Sequence, residues 1–208
     1  MAEAPPTVEL ARGTLKCVGG AVVLDFVNTL DWRLDETAAA EWLLSYRDLV
    51  TWAKGTGILD APRARRLLAL GKDDPDAAER VVAEACRLRE ALFRIFAARS
   101  REKAPAAKDL VLVNRWLQRA APRSGLDIRG RRLGWRWPDE TLESVLAPIL
   151  WSAGDLLTNE DRIKLCAADG CGWIFLDASR KANRVWCSME GCGNRAKARR
   201  HYRRRTSG

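Results

Sequence analysis

The chain has 208 residues, 47% hydrophobic and 30% charged, a composition that excludes intrinsic disorder and fibrous repeats and fits one folded domain, or one with a small appendage. Its 36 Lys and Arg outnumber 27 Asp and Glu, and +8 of the +9 net charge falls from Asp161 onward, so a near-neutral body carries a tail suited to polyanions. No 18-residue apolar run occurs, which excludes a transmembrane helix, and the N-terminal residues lack the basic-then-apolar order of a secretory signal.

Residues 1 to 20, with Pro5, Pro6, Gly13, Gly19 and Gly20, read as a loose lead-in with one extended piece at most. From Ala21, the spacing of Val23, Phe26, Val27, Leu30 and Leu34 predicts a helix with one buried face. Ser45 is placed to cap a helix that ends at Gly55 or Gly57, with Asp48 at its third position. Asp60 can cap another, with Pro62 in its first turn and Gly71 just past its end at Leu70. The longest periodic stretch runs from Pro75 to about Arg101, with Val81, Val82, Ala85, Leu88, Leu92, Ile95 and Phe96 on one side, and reads as the spine of a bundle. A helix opened by Pro105 ends at Pro122 and Gly125. A hairpin follows around Arg129-Gly130-Arg131, and a last long helix runs from about Asp139 to Leu157 with a kink at Pro148. The expected fold is mostly α: a helical domain over 1–160 with one β-hairpin, and a small finger over 161–208 built of a β-hairpin and a basic helix. Trp42, Trp52, Trp116 and Trp151 sit at core spacing, and Trp135 and Trp137 share one strand face that would cover the bundle.

The strongest signal is Cys166-x4-Cys171-x15-Cys187-x4-Cys192. With no secretory signal the chain is expected in the cytoplasm, where thiols stay reduced and paired cysteines bind metal rather than form disulfides. Four thiols in two short, equal turns supply a tetrahedral set for one structural Zn²⁺ per chain, with no open position for catalysis. Gly170 and Gly172 flank Cys171, and Gly191 and Gly193 flank Cys192, where the turns would need unusual dihedrals. A segment this short cannot bury a core alone, and metal binding would supply the missing folding free energy, so replacing any ligand by Ser is expected to unfold the finger and leave the body intact. Cys17 and Cys86 belong to no such pattern: Cys86, near the apolar face of the long helix, reads as a buried small hydrophobe and Cys17 as an ordinary free thiol.

Beyond Cys192 the chain reads GNRAKARRHYRRR, without a carboxylate after Glu190. On a helix, Asn194, Ala198, His201 and Tyr202 fall to one side and could pack on the finger, while Lys197, Arg199, Arg200, Arg203 and Arg204 spread over the other and suit phosphates and base edges. Asn194, Arg195 and Arg205 complete the predicted DNA-binding set. In the body, Asp25, Asn28, Thr29 and Trp32 stand at i, i+3, i+4 and i+7, with Arg33 at the margin. They could line a pocket for a small polar ligand, or they could be internal hydrogen-bond partners joining helices.

From Cys166 to the arginine run the chain resembles the CGNR zinc finger, whose name is spelled by Cys192-Gly193-Asn194-Arg195. The part before it resembles the ABATE domain, through LDFVNTLDWR at 24 to 33 and WSAGDLLT at 151 to 158. The resemblance implies a bacterial, stress-responsive transcription regulator in which the finger binds double-stranded DNA, non-enzymatic and associated with the nucleoid. The helical domain would then be a ligand sensor or a dimerisation unit, and one short helix offers so little specificity that a homodimer is expected. Two alternatives remain open. An RNA-binding zinc protein would share the basic helix but would normally add exposed aromatics for stacking. A hydrolase would have to rely on carboxylates such as Asp25 or Asp31, because the single His, His201, lies inside the basic helix.

Overall fold

The computed structural model describes residues 5–137, 141–159 and 162–206. Among them are seven α-helices and four two-stranded antiparallel ladders. The fold is therefore mostly α, with more hairpins than the one expected in the body.

The first of these replaces the loose lead-in. β1 (Thr7–Leu10) pairs with β2 (Gly13–Lys16), Val8 opposite Leu15, because Val8, Leu10, Leu15 and Cys17 alternate into the core. Helix α1 (Val22–Val27) starts where predicted but stops well before Leu34. Two polar side chains end it: the Thr29 hydroxyl donates to Phe26 O at 2.7 Å, and the Asn28 carboxamide is drawn to a distant strand. The chain continues as β3 (Leu30–Asp31), paired with β4 (Ala40–Glu41), and Trp32 lies in the left-handed region at φ +51°.

Helix α2 (Tyr46–Gly55) has the predicted cap, the Ser45 hydroxyl accepting the Asp48 N–H at 3.2 Å. The Asp48 carboxylate in turn accepts the Ser45 hydroxyl at 2.8 Å and the Ala11 N–H at 3.3 Å, so one cap also fixes the β1–β2 turn. Helix α3 (Ala61–Asp73) is capped by Asp60 as expected but runs through Gly71. A Cβ at Gly71 would lie 2.7 Å from the Tyr46 ring, so glycine is needed there for close helix approach and not for a stop.

Helix α4 (Pro75–Arg99) is the spine: it touches α1, α2, α3, α5 (Ala107–Ala120) and both strands of the finger, β7 (Ile163–Leu165) and β8 (Ile174–Leu176). The predicted hairpin forms as β5 (Gly125–Arg129) and β6 (Arg132–Arg136), and Trp135 and Trp137 cluster with Trp151, their ring centroids 5.3 to 5.8 Å apart. Helix α6 (Ala147–Thr158) follows a 3-10 turn, Leu142–Leu146. Pro148 does not kink it, because it sits in the first turn of α6, where a missing N–H is harmless; the expected start at Asp139 lies outside the described residues. After the finger strands come a π-helical turn, Met189–Gly193, and helix α7 (Asn194–Thr206).

One apolar core runs through both parts. Phe26, Trp52, Leu88, Leu92, Ile95 and Phe96 are fully buried together with Ile174 and Phe175 of the finger. Residues of the finger thus pack into the core of the helical body, so unfolding of the finger is expected to destabilise the body as well. Gly71→Ala tests the α2–α3 contact. At an exposed helical site this change would stabilise by about 1 kcal/mol; against the Tyr46 ring it is expected to destabilise by roughly 1–3 kcal/mol in urea unfolding.

Candidate metal centre and nucleic-acid interface

The four cysteines converge. Cys166 directly follows β7 and its N–H donates to Trp173 O at 2.8 Å, which folds the first turn back on itself. Gly170 and Gly172 take φ values of +77° and +70°, so that turn needs glycine on both sides of Cys171. The second turn differs: Gly191 and Gly193 are not left-handed. A Cβ at Gly193 would lie 2.9 Å from Sδ of the exposed, flexible Met189 side chain, which can move aside, so this turn does not demand glycine as the first one does. Ser188 holds this turn by accepting the Gly191 N–H at 3.3 Å and, through its carbonyl, the Gly193 N–H at 2.9 Å.

All four Sγ atoms lie within 4.8 Å of one another, with Cys171 to Cys187 at 3.8 Å and Cys187 to Cys192 at 3.6 Å. A tetrahedron of sulfurs about 2.3 Å from a central zinc has edges of roughly 3.8 Å, so the thiols fit one structural Zn²⁺. Outer contacts come from the Cys187 N–H to Cys166 Sγ at 3.3 Å and from Arg195 Nη2 to Cys192 Sγ at 3.1 Å. Arg184, over the Phe175 ring at 4.3 Å, donates to the carbonyls of Trp186 and Cys187 and so anchors the second turn.

Asp25, Asn28, Thr29, Trp32 and Arg33 do not form one helical face, because α1 ends between them. They sit at the seam between body and finger. The Asn28 carboxamide donates to Ile174 O and accepts the Ile174 N–H, each at 2.9 Å. The Arg33 and Leu34 N–H groups bond to the carbonyls of Cys171 and Gly170 at 3.2 and 3.1 Å. The buried Arg33 guanidinium pairs with Glu90, donates to Val27 O at 2.7 Å and lies 4.3 Å over the Phe93 ring. Thr29, fully buried, accepts from Arg89 at 3.1 Å. Asp25, 9% exposed, accepts the Gly19 N–H at 2.7 Å, and burial pushes its carboxyl up to about 7. These contacts are those of the internal-partner reading.

Sequence reasoning missed the partners. Arg89 is 2% exposed and forms a two-pronged pair with Glu41 at 2.7 and 2.6 Å, and Glu90 joins it to Arg33. The available signal was an arginine inside the apolar stripe of α4, between Leu88 and Leu92.

Helix α7 carries the predicted basic set. Arg195 lies 4.7 Å over the Trp32 ring while it donates to Cys192, so it pins the helix start to the body. Asn194 donates to Glu190 O at 3.3 Å, and Arg199 makes an exposed ion pair with Asp169 at 3.1 Å. Lys197 and Arg200 are exposed and make no ion pair or side-chain hydrogen bond among the described residues. The backbone of Arg203, Arg204 and Arg205 belongs to the helix; their side chains, and that of His201, lie outside the described residues. Tyr202, expected to pack on the finger, is 70% exposed. Among the described residues no helix is long and apolar enough to cross a membrane.

Two family models match the chain. One, ABATE, described as "Putative stress-induced transcription regulator", covers residues 20–160, and the other, described as the CGNR zinc finger, covers residues 162–205. A search of curated proteins found no match.

Two measurements check this site. Metal analysis is expected to give one zinc per chain, and Cys171→Ser to lose the metal and lower the melting temperature of the whole chain, because the carbonyls around Cys171 also hold the body. Asp25 sets a pH dependence. Its folded value of about 7 exceeds the unfolded value near 3.9. Between these values the folded chain keeps a proton that the unfolded chain has released, so stability falls as pH rises through the window and levels off above it. Asp25→Asn removes that slope, and its stability relative to the parent is expected to rise by on the order of 3 kcal/mol from pH 4 to 7.5.

Proposed function

This chain belongs to the ABATE family and carries a CGNR zinc finger at its C-terminal end, and on that premise we propose that it regulates transcription by binding double-stranded DNA through α7, as part of a stress response. The observation that carries the reading is the helix itself. It begins two residues after a metal ligand, is pinned by Arg195, presents Lys197, Arg199 and Arg200 outward, and contains no carboxylate. A helix fixed at its start and cationic along its exposed length meets the requirements of groove binding, where phosphate contacts position the protein and a few side chains read bases. Asn194 and Arg195 work at the base of the helix, and Arg203, Arg204 and Arg205 extend the cationic run.

One short helix reads few base pairs, so two copies are expected on a site, related by the symmetry of its half-sites. The RNA reading draws support from one observation, the exposure of Tyr202, which could stack on an unpaired base. The hydrolase reading gains nothing from Asp25, which is buried and accepts the Gly19 N–H. Residence in the cytoplasm, at the nucleoid, follows from the DNA reading.

Binding to duplex DNA is expected to weaken with salt at a logarithmic slope of roughly −4 per chain. Arg200→Ala should reduce that slope by about 1. Arg195→Ala should leave the slope nearly unchanged and lower zinc retention instead, because its guanidinium serves Cys192 and Trp32. Preference for single-stranded RNA over duplex DNA, abolished by Tyr202→Ala, would establish the RNA reading in place of this one.

A further inference from the structure

The β5–β6 hairpin carries its large apolar side chains on one face, and the helical body leaves most of that face open. Leu126 pairs with Trp135 and Ile128 with Leu133. Cross-strand partners and residues two apart share a face, so these four form one apolar strip. The strip is in water: Leu126 is 61% exposed, Ile128 75%, Leu133 69% and Trp135 43%. Only at its base does it meet the body, where Trp135 joins Trp137 and Trp151.

An antiparallel ladder normally turns its apolar face to a core and its polar face to water. Here Asp127, Arg132 and Arg136 occupy the opposite face and are exposed as well, so the hairpin is amphipathic with both sides solvated. It pairs with no third strand among the described residues, and a lone hairpin is marginally stable without a cover. At these exposures the four residues present roughly 500 Å² per copy, near the top of the range for the largest apolar patch on a monomer. Two copies meeting there would bury about 1,000 Å², the area at which a specific interface begins.

The strip carries no charge, so it has nothing with which to hold a charged partner, and the same strip on a second copy is its apolar match. A two-fold contact needs only this one patch, used twice. A lipid surface fits less well, because the apex reads Arg129-Gly130-Arg131-Arg132 and charge at the tip opposes entry into hydrocarbon. We propose that the chain forms a homodimer through the apolar face of β5–β6, two hairpins stacking about 10 Å apart as a four-stranded sandwich. The inference deepens the reading of two copies on one DNA site and rests on it for the use of the dimer only, since the contact itself requires no nucleic acid.

Sedimentation equilibrium of the zinc-loaded full chain without DNA, over about 1 to 100 μM, should give a mass approaching twice 23.3 kDa. Ile128→Glu and Leu133→Glu should each weaken self-association by about a hundredfold or more, because symmetry buries the new carboxylate twice. Both variants should keep their zinc and their helical circular dichroism, as suits side chains exposed in the single chain. Arg132→Glu, on the opposite face, should leave the mass doubled. Should the glutamate variants misfold, the parent itself decides: in a mixture of ¹³C-labelled and unlabelled chains, filtered NOEs should connect the Ile128 and Leu133 methyls of one copy to the same strip of the other. The proposal is overturned if the parent stays monomeric over that range, if both glutamate variants dimerise as the parent does, or if the NOEs between copies arise from another surface. Capture of a monomeric parent, but not of the variants, by phosphatidylglycerol vesicles would overturn it in favour of a lipid surface. Failure to bind duplex DNA would remove the DNA reading and leave the dimer standing, whereas a monomer that binds duplex DNA would remove the dimer alone.

Discussion

Asn28 gives its carboxamide to both backbone groups of Ile174, and the rest of the architecture follows from that exchange. A unit of about 45 residues cannot enclose an apolar core alone. Joining strand β8 to the end of α1 through one side chain lets Ile174 and Phe175 enter the core built on α4, and the four ligand cysteines are buried with them. The same exchange ends α1 early and sends the chain through β3 and the strained Trp32, which in turn places that ring under Arg195. The end of α1 and the seating of β8 thus both involve one amide used outside its own helix.

The charge distribution gives the molecule two electrostatic regimes. Inside, Arg33 and Arg89 are neutralised by Glu41 and Glu90 and further held by a backbone carbonyl, a hydroxyl and an aromatic ring. Removing one partner from such a set leaves a buried charge exposed to its full desolvation cost, so this network favours one arrangement of α4 against the seam. Outside, α7 has positive charge that is nearly unopposed. Salt screens the second regime and barely touches the first, so ionic strength acts on the field around α7 far more than on the interior network.

Much of this was legible in the sequence where physics is local. Ser45, Asp60 and the proline-opened helices announced themselves because a cap or a ring constrains only its own turn. The four cysteines were legible because metal chemistry fixes residue type and spacing together. What could not be read were features created by distant partners. Gly71 looked like a stop until the Tyr46 ring was placed against it, and the helical spacing from Val23 to Leu34 hid a break whose cause, Ile174, lies 146 residues from Asn28. The polar set Asp25, Asn28, Thr29 and Arg33 was recognisable as special. Its internal partners became visible only once β8 and α4 were in place. The β1–β2 hairpin, by contrast, did leave a trace in the alternation of Val8, Leu10 and Leu15.

The shared core has a consequence for how the chain can be made and lost. Ile174 and Phe175 arrive late in synthesis, after every helix that surrounds their site has emerged, so the nascent body waits with an apolar gap over α4 and an unanswered amide at Asn28. A ribosome that stopped short of β8 would release a chain with sticky, incompletely closed surface, the kind that proteases and chaperones recognise. Closure of the core thus waits on β8 but not on α7, which is made after it, so the basic helix is the one element of the finger that the body does not need for its apolar residues to be covered.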